Sequence, residues 1–457
     1  MLLRRISPER EDLILMNFKR FFVLFLAFLL FFTVTGCRLF SPDDGSTPSI
    51  VPFSNGGNER NMIVVISDVH LGAEIAYTEC KDNLGSLERL LNIIKASPNV
   101  KELVIAGDLF DEWFVPATVD TYQGKDQADF LQRIAVTNKG VIDALNSIIQ
   151  AGEILVTYVP GNHDLTVTAA NVSLVLPGVN QARDAMQGLG RYSPAGNPQI
   201  VIEHGHRYNF FCAPDPISNQ LIAPGTISPP GYFFTRIAAL HVLQNFPPAG
   251  DSVKNITENA SGDESQDLLF KYWSLWKWAI EYLTIKNKFD EKLIVTNFDG
   301  FTQPYSVNDL LPYQVTAGGL IDVSLYNGIQ DKWAQRQLLN NVPVAIPAAR
   351  AIGNASSADE TDGQAKIQFF DNPDSDTRIV VFGHSHIAKM QVHDNHEGKK
   401  SIYVNSGTWI DHNSLGTTRN FVVITPQGSD ASSQTHVNLY NFENEVVSLM
   451  AEDSLRF

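Results

Sequence analysis

Short apolar runs alternate with amphipathic stretches along the chain from residue 62 to about residue 206. Apolar, β-branched runs bounded by polar residues predict strands at Met62–Ser67, Leu103–Ala106, Ile154–Val159 and Ile200–Glu203. Apolar positions with a helical period predict helices over Leu84–Ala96 and Phe130–Ala151. Strands that alternate with helices are typical of βαβ units, so the sequence predicts an α/β fold.

The pattern changes between residues 207 and 376. This segment opens with several prolines, and helices are predicted at Gln266–Lys286 and Gln330–Leu339. A polar run at Asn354–Gln364 predicts a surface loop. We interpret 207–376 as a large, partly helical insertion or cap. Its aromatic residues predict packing between cap and body, with a groove for a lipid tail or nucleobase as the alternative.

Strand-like patterns resume after the insertion, so the body of the protein would comprise residues 61–206 and 377–457. Short runs separated by turn residues suggest an antiparallel closing sheet. The predicted strands are Arg378–Phe382, Ser401–Asn405, Phe421–Thr425 and His436–Tyr440.

The N-terminal residues have the pattern of a targeting segment. Phe21–Val34 is apolar except for Thr33 and follows a basic pair, which suits a signal peptide better than a bilayer span. The run ends in Val34-Thr35-Gly36-Cys37, which resembles the bacterial lipobox. The resemblance implies removal of residues 1–36, lipidation of Cys37 and anchoring in the cell envelope, at the periplasmic or outer face of a membrane. An uncleaved signal anchor is the alternative, and residues 37–60 are predicted to form a flexible tether.

Five polar clusters carry the candidate chemistry, and each follows an apolar run. They therefore lie at predicted strand ends, where open α/β sheets bind their ligands. The clusters are Asp68-Val69-His70, Gly107-Asp108-Leu109-Phe110-Asp111, Gly161-Asn162-His163-Asp164, His204-Gly205-His206 and Gly383-His384-Ser385-His386.

The residue types in these clusters are those that hold a pair of divalent cations. Asp68 and His70 are two residues apart in extended chain, so both can bind one ion. Asp108 has two carboxylate oxygens and can bridge two ions. Amide oxygen and imidazole nitrogen are supplied by Asn162, His204, His384 and His386, with His206 as an alternative to His204. Such ligands suit Mn, Fe or Zn.

In these motifs the chain resembles the calcineurin-like metallophosphoesterase family. The shared patterns are D-x-H, G-D-x-x-D, G-N-H followed by D or E, a later His beside Gly, and G-H-x-H. The resemblance implies a sandwich of two mixed sheets flanked by helices. It assigns Asp68, His70, Asp108 and His386 to a first metal, and Asp108, Asn162, His204 and His384 to a second. It also makes His163 the catalytic imidazole and Asp111 the carboxylate that orients it.

The predicted activity is hydrolysis of a phosphate ester or pyrophosphate by attack of a metal-bridging hydroxide, with manganese as the favoured metal. The segment Gly107–Phe114 and the H-G-H cluster look most like the branch that includes UDP-2,3-diacylglucosamine pyrophosphatases. A phosphorylated small molecule or lipid is the expected substrate. A non-catalytic surface lipoprotein that binds a partner through the insertion, and a nuclease, are the alternatives.

Charge and cysteines refine this picture. The chain has 457 residues and a formal net charge of −16, which disfavours nucleic acid as a partner. Cys80 follows the first cluster and Cys212 follows the fourth. In an exported protein we expect these two to form a disulfide, with two unpaired buried thiols as the alternative.

Overall fold

The computed structural model describes residues 51–428 and 433–457. The predicted signal peptide, Cys37 and most of the predicted tether lie outside these residues. Within the described chain, no helix combines the length and the apolar character that crossing a bilayer requires.

Two mixed sheets form the body of the protein, as the resemblance implied. The larger sheet has seven strands in the order β13-β12-β11-β1-β2-β3-β4, and the smaller has four in the order β5-β8-β10-β9. A two-stranded sheet, β6-β7, lies in the predicted insertion. The strands are β1 (Met62–Ile66), β2 (Val100–Ala106), β3 (Leu155–Val159), β4 (Asn180–Gln181), β5 (Ile200–Ile202), β6 (Tyr313–Gln314), β7 (Ile321–Asp322), β8 (Ile379–Phe382), β9 (Lys389–Asp394), β10 (Lys400–Asn405), β11 (Asn420–Thr425), β12 (Thr435–Glu443) and β13 (Val446–Leu455).

Strand β1 shows how the two layers are held together. Its side chains alternate between the faces of the sheet, and all are buried. Ile63 and Val65 pack in a core shared with Val381 and Val404 of the smaller sheet. The intervening residues, such as Val64, pack in a second core beneath the helices. A strand buried on both faces reads as a continuous apolar run, which is why the sequence predicted it well.

Helices cover the outer face of the larger sheet and build the insertion. Helix α1 begins and ends as predicted and buries four aliphatic side chains, each worth about 1.5–3 kcal/mol relative to exposure. The helices are α1 (Leu84–Ala96), α2 (Gln127–Thr137), α3 (Lys139–Ala151), α4 (Ala169–Val175), α5 (Pro230–Leu243), α6 (Glu264–Tyr282), α7 (Ile329–Leu339), α8 (Ala348–Gly353) and α9 (Ala358–Ala365). Single-turn 3-10 helices lie at His206–Tyr208 and Val307–Asp309, and a π-helical turn lies at Lys366–Phe370.

Two local predictions are wrong. The single helix predicted over residues 130–151 is interrupted at Asn138, whose side-chain amide donates to the carbonyls of Ile134 and Gly72. The polar run predicted as a loop at 354–364 contains helix α9, which starts at a Ser357 cap. Its Asp362 is buried, because partners from distant parts of the chain satisfy a polar group that the sequence alone places in solvent.

The predicted insertion packs on the body through a large aromatic core. Trp276 and Trp333 lie in one cluster with Trp113, Phe382 and Tyr403 from the body. The aromatic surface of α6 is therefore core packing, as predicted. The division of the chain into domains stays a prediction.

The start of the described chain is also packed. Phe53 is buried in the helix-side core, and its carbonyl accepts from Ser97 Oγ at 2.7 Å. Arg60 forms an ion pair with Glu153 at 2.9 Å. Phe53 and Arg60 thus contact the body, while the residues between them are mostly exposed, and the tether predicted for residues 37–60 stays a prediction.

The predicted Cys80–Cys212 disulfide is absent, and both cysteines are free. Cys80 is fully buried in the helix-side core beneath α1. Cys212 lies in the first loop of the insertion, where its backbone N–H donates to the Asn209 carbonyl. Cys80 and Cys212 lie in loops that follow β1 and β5, but these loops run to different parts of the structure. Burial raises the pKa of both thiols, which keeps them in the unreactive neutral form.

Thiol titration should therefore detect both cysteines after denaturation without reductant. In the folded protein Cys80 should not react, because it has no exposed surface. The absorbance change with dithionitrobenzoate measures the number of reactive thiols in the denatured and in the folded protein. Finding neither Cys80 nor Cys212 reactive in denaturant, with both restored by reductant, would contradict the free-thiol assignment.

Candidate metal centre

The five polar clusters lie together at the carboxyl ends of parallel strands. β1, β2 and β3 are parallel in the larger sheet, and β5 and β8 are parallel in the smaller. One cluster begins within two residues of the end of each of these five strands. The His384 backbone N–H donates to Asp68 Oδ1 at 3.0 Å and so joins the two sheets at this edge. The predicted position of the clusters is confirmed.

Five of the seven predicted metal ligands have a left-handed backbone. Their φ angles lie between 52° and 66°, in a region that non-glycine residues occupy at a cost of about 1 kcal/mol or more each. The five are Asp68, His70, Asp108, His384 and His386. Such strain persists only where the surroundings over-determine the conformation, and it is concentrated at functional sites.

Glycines allow the close approach of the strand ends. A side chain at Gly161 would lie 2.1 Å from Asp108 Oδ1, and one at Gly383 would lie 2.4 Å from Asp68 Oδ2. Any larger residue at either position would displace a central carboxylate.

The predicted first-metal residues form one compact group. Ligand atoms of Asp68, His70, Asp108 and His386 all lie within 4.8 Å of one another. His386 Nε2 is 3.1 Å from Asp68 Oδ1 and 3.2 Å from His70 Nε2. Asp108 Oδ2 is 3.7 Å from His70 Nε2. The group suits a cation bound by two carboxylates and two imidazoles.

Among the predicted second-metal residues, His204 lies against both Asp108 and Asn162, and His384 lies beside His204. His204 Nε2 lies 3.1 Å from Asp108 Oδ2 and 3.1 Å from Asn162 Oδ1. The ring of His384 lies 5.2 Å from that of His204. Asp108 Oδ2 thus faces one histidine of each predicted group, and its role as a shared ligand stays a prediction.

The hydrogen bonds that Nδ1 of His204 and Nδ1 of His70 make determine whether Nε2 of each ring can bind a cation. His204 Nδ1 donates to the Ala106 carbonyl at 2.8 Å, because a carbonyl oxygen can only accept. The neutral ring then directs the lone pair of Nε2 at the oxygens of Asp108 and Asn162. In the same way, His70 Nδ1 donates to Asp111 at 3.0 Å, so in the neutral ring Nε2 carries the lone pair. Lone pairs therefore converge from several sides, and the donor set fits a bound divalent cation.

The pKa values of the same residues also indicate a site that suits a bound divalent cation. Burial lowers the pKa of His70, but the hydrogen bond to Asp111 and the nearby carboxylates outweigh it and raise the pKa to about 10. Burial also lowers the pKa of His204, but the nearby carboxylates of Asp108 and Asp68 outweigh it and raise this pKa to about 9. Burial and the charge of His204 lower the pKa of His384 to about 3. Excess negative charge at the site thus recruits protons wherever no metal is bound.

The metal-free protein should lose stability as the pH rises. The folded-state pKa values of His70 and His204 lie above the ordinary histidine pKa of 6.5. Their protonation stabilises the fold fully below pH 6.5, and this contribution disappears as the pH passes through about 9 to 10. Thermal unfolding of chelator-treated protein from pH 6.5 upward measures the effect. Metal-saturated protein is the control, because bound cations replace the protons. Equal pH dependence of the two samples would contradict the assignment.

Asp111 joins the metal group to the catalytic candidate His163. Its Oδ1 accepts from His163 Nδ1 at 2.9 Å, while its Oδ2 accepts from His70 Nδ1. Asp111 Oδ1 also accepts from the backbone N–H groups of Trp113 and Phe114. His70, Asp111 and His163 are close enough for a cation as well. However, both imidazole nitrogens that face Asp111 are donors, so we interpret this trio as a hydrogen-bonded relay.

His206 and Asp164 lie beside the predicted metal ligands. His206 Nε2 is bonded to the Gly188 carbonyl at 2.9 Å, so the structure favours His204 as the metal-facing histidine. Asp164 accepts from the backbone N–H of Gly161, at 2.7 Å, and from that of Leu109, at 2.9 Å. Asp164 thus stabilises the turns that carry Asp108 and Asn162.

Sequence reasoning missed two polar residues at the site. Glu79 lies 3.7 Å from His70 Nδ1, and 26% of its side chain is exposed. Ser67 donates to Asp68 Oδ2 and contacts Ser406 Oγ at 2.7 Å. Glu79 stands alone in a loop and offered no pattern. Ser67 directly precedes the first cluster, which is the one signal that could have indicated it.

Comparison with known proteins agrees with this geometry. Residues 62–234 match the family model of the calcineurin-like phosphoesterases. A search of curated proteins found no match to the chain. The matched segment contains the first four clusters, and the fifth completes the Asp and His group around Asp108. Over these residues the chain is similar to the calcineurin-like phosphoesterases, and its Asp and His group is of the kind that binds a divalent cation.

Proposed function

We propose that the protein is a membrane-anchored two-metal phosphoesterase that cleaves a phosphate ester or a pyrophosphate bond. The observation that carries this proposal is that Asp108 Oδ2 lies 3.7 Å from His70 Nε2 and 3.1 Å from His204 Nε2, which belong to different predicted ligand groups. One carboxylate shared by two such groups is the arrangement that a bimetallic site requires.

Asp68, His70, Asp108 and His386 would hold one cation, and Asp108, Asn162, His204 and His384 the other. When bound, two divalent ions supply an activated water and offset charge on the phosphoryl oxygens. The mixture of oxygen and nitrogen ligands is compatible with manganese, iron or zinc, and we favour manganese.

His163 is placed to exchange a proton with the leaving group. Its backbone N–H donates to Asp108 Oδ1 at 2.8 Å, which fixes it beside the metal residues. Its Nδ1 is held by Asp111, so Nε2 is the nitrogen available to substrate. The carboxylate of Asp111 stabilises the protonated ring, and the pKa of His163 is raised although burial opposes this. A protonated His163 can act as general acid towards the departing oxygen.

The substrate that we propose is a phosphorylated small molecule or lipid outside the cytoplasm. Nucleotides, phospholipids, glycerophosphodiesters and sugar-nucleotide pyrophosphates are the candidates. The net charge of −16 gives an anionic substrate no long-range help, so attraction would be local to the cations.

Hydrolysis of p-nitrophenyl phosphate and bis(p-nitrophenyl) phosphate by the purified full-length protein with Mn²⁺ tests the activity. Release of p-nitrophenol that depends on Mn²⁺ and stops on chelation is expected. No turnover of either ester, with metal shown to be bound, would overturn the catalytic proposal and favour a binding role. Preference for a DNA or RNA substrate would favour the nuclease alternative.

Membrane attachment through Cys37 is tested separately. Cells that express the full chain should incorporate a labelled fatty acid into the protein, and the protein should sediment with membranes. Cys37→Ser should lose the label and move to the soluble fraction. Unchanged labelling in Cys37→Ser would remove the lipid anchor from the proposal.

A further inference from the structure

A buried carboxylate from the predicted insertion lies directly against the loop that carries His384 and His386. Asp362 belongs to helix α9, and its side chain is 2% exposed. Its Oδ1 accepts from Ser385 Oγ at 2.9 Å, from Asn405 Nδ2 at 3.2 Å and from the Tyr403 hydroxyl. Its Oδ2 forms an ion pair with Lys389 at 2.6 Å.

These hydrogen bonds restrain the loop of residues 383–386, which carries His384 and His386. Ser385 stands between the two histidines, so its hydroxyl fixes the peptide that joins them. Asn405 Nδ2 donates to the Gly383 carbonyl at 2.7 Å and to Ser385 Oγ at 3.0 Å. Both histidines have positive φ angles, so this loop needs external restraints to keep its conformation.

Simple packing does not explain Asp362. Burying a carboxylate is expensive, and an apolar residue at a helix interface often gives equal or better stability. Here the carboxylate is satisfied by three donors and one ammonium group. All four of those partners lie on β9, on β10 or between the histidines. Hydrogen-bond partners of this kind around metal ligands usually orient the ligands and tune metal affinity.

We propose that Asp362 is a positioning residue of the metal centre, through which the predicted insertion sets the orientation of His384 and His386. This inference rests on the proposed two-metal function. It implies that the insertion is part of the site and not only a cover over it.

The test compares Mn²⁺ affinity of three variants with the wild type by titration calorimetry, with melting temperature as a second readout. Asp362→Ala with Lys389→Met removes the acceptor without leaving an unpaired cation. Asp362→Asn with Lys389→Met keeps an oxygen acceptor of the same shape. Asp359→Asn is the matched control, because Asp359 pairs with Lys389 from the exposed side of the same helix and its side chain is 63% exposed.

The alanine double variant should bind Mn²⁺ about 10–100-fold more weakly than the wild type. The asparagine double variant should recover most of this loss, and Asp359→Asn should bind as the wild type does. A lower melting temperature in the alanine double variant with unchanged Mn²⁺ affinity would show a purely structural role and overturn the inference. If that variant fails to fold, Ser385→Ala removes only the bridging hydroxyl and should also weaken binding.

The outcomes separate this inference from the proposed function. Wild-type protein that binds Mn²⁺ but hydrolyses no phosphoester would overturn the function alone, and the affinities would still decide the role of Asp362. Wild-type protein that binds no Mn²⁺ would overturn both.

Discussion

Replacing Asp108 with Asn should lower phosphoesterase turnover by on the order of 10³-fold or more. Both oxygens of Asp108 are in use. Oδ1 accepts from the His163 backbone at 2.8 Å, and Oδ2 lies 3.1 Å from His204 Nε2. An amide offers one oxygen, so the variant must lose either the bond to His163 or the ligand atom between the two groups of metal residues. Steady-state hydrolysis of bis(p-nitrophenyl) phosphate at saturating Mn²⁺ measures the effect.

Asp143→Asn is the matched control for this substitution. Asp143 lies on helix α3, is 60% exposed and pairs with Lys139 one turn away. Exposed pairs of this kind contribute little to stability, so the control should retain wild-type turnover. Loss of activity in Asp143→Asn, or activity within tenfold of wild type in Asp108→Asn, would be inconsistent with the bridging role.

Replacing His163 with Ala should slow turnover about 10²–10⁴-fold while the metals stay bound. The hydrogen bond from His163 to Asp108 uses the backbone N–H, so alanine preserves it. The substitution therefore removes the imidazole that Asp111 holds without removing a predicted ligand. Metal content by plasma mass spectrometry and turnover on the same samples separate the two effects.

Asp111→Asn offers a second comparison for the same relay. Because Asp111 also accepts from His70 Nδ1, this variant should weaken metal binding as well as turnover. His396→Ala, on an exposed turn, is the neutral control. If His163→Ala lost its metals and recovered normal kinetics when excess metal was added, His163 would be a ligand and not an acid.

Most of the site could be predicted because it depends on local sequence. A buried strand is an apolar run, and the residues that follow its carboxyl end stay close to the sheet edge. Asp108 and Asn162 therefore lie close together because β2 and β3 are neighbouring parallel strands. The divided bonding of Asp111, with one oxygen for His70 and one for His163, depends on side-chain geometry that no spacing encodes.

The errors arose where distant partners decide the environment of a residue. Asp362 reads as part of a polar surface run, yet Lys389 and Tyr403 make its burial possible. Cys80 and Cys212 follow clusters that do meet, but the loops that carry them run to different places. Phe53 lies in the segment predicted as a tether, and it packs against Phe421 more than 300 positions later, with ring centroids 5.5 Å apart.

The most direct measurement is anomalous X-ray diffraction from crystals of the protein grown with Mn²⁺. Two anomalous peaks about 3.5–4 Å apart are predicted, with the Asp108 carboxylate between them, His386 on one peak and His204 on the other. A single peak, or peaks that leave Asp108 without metal, would contradict the two-metal centre.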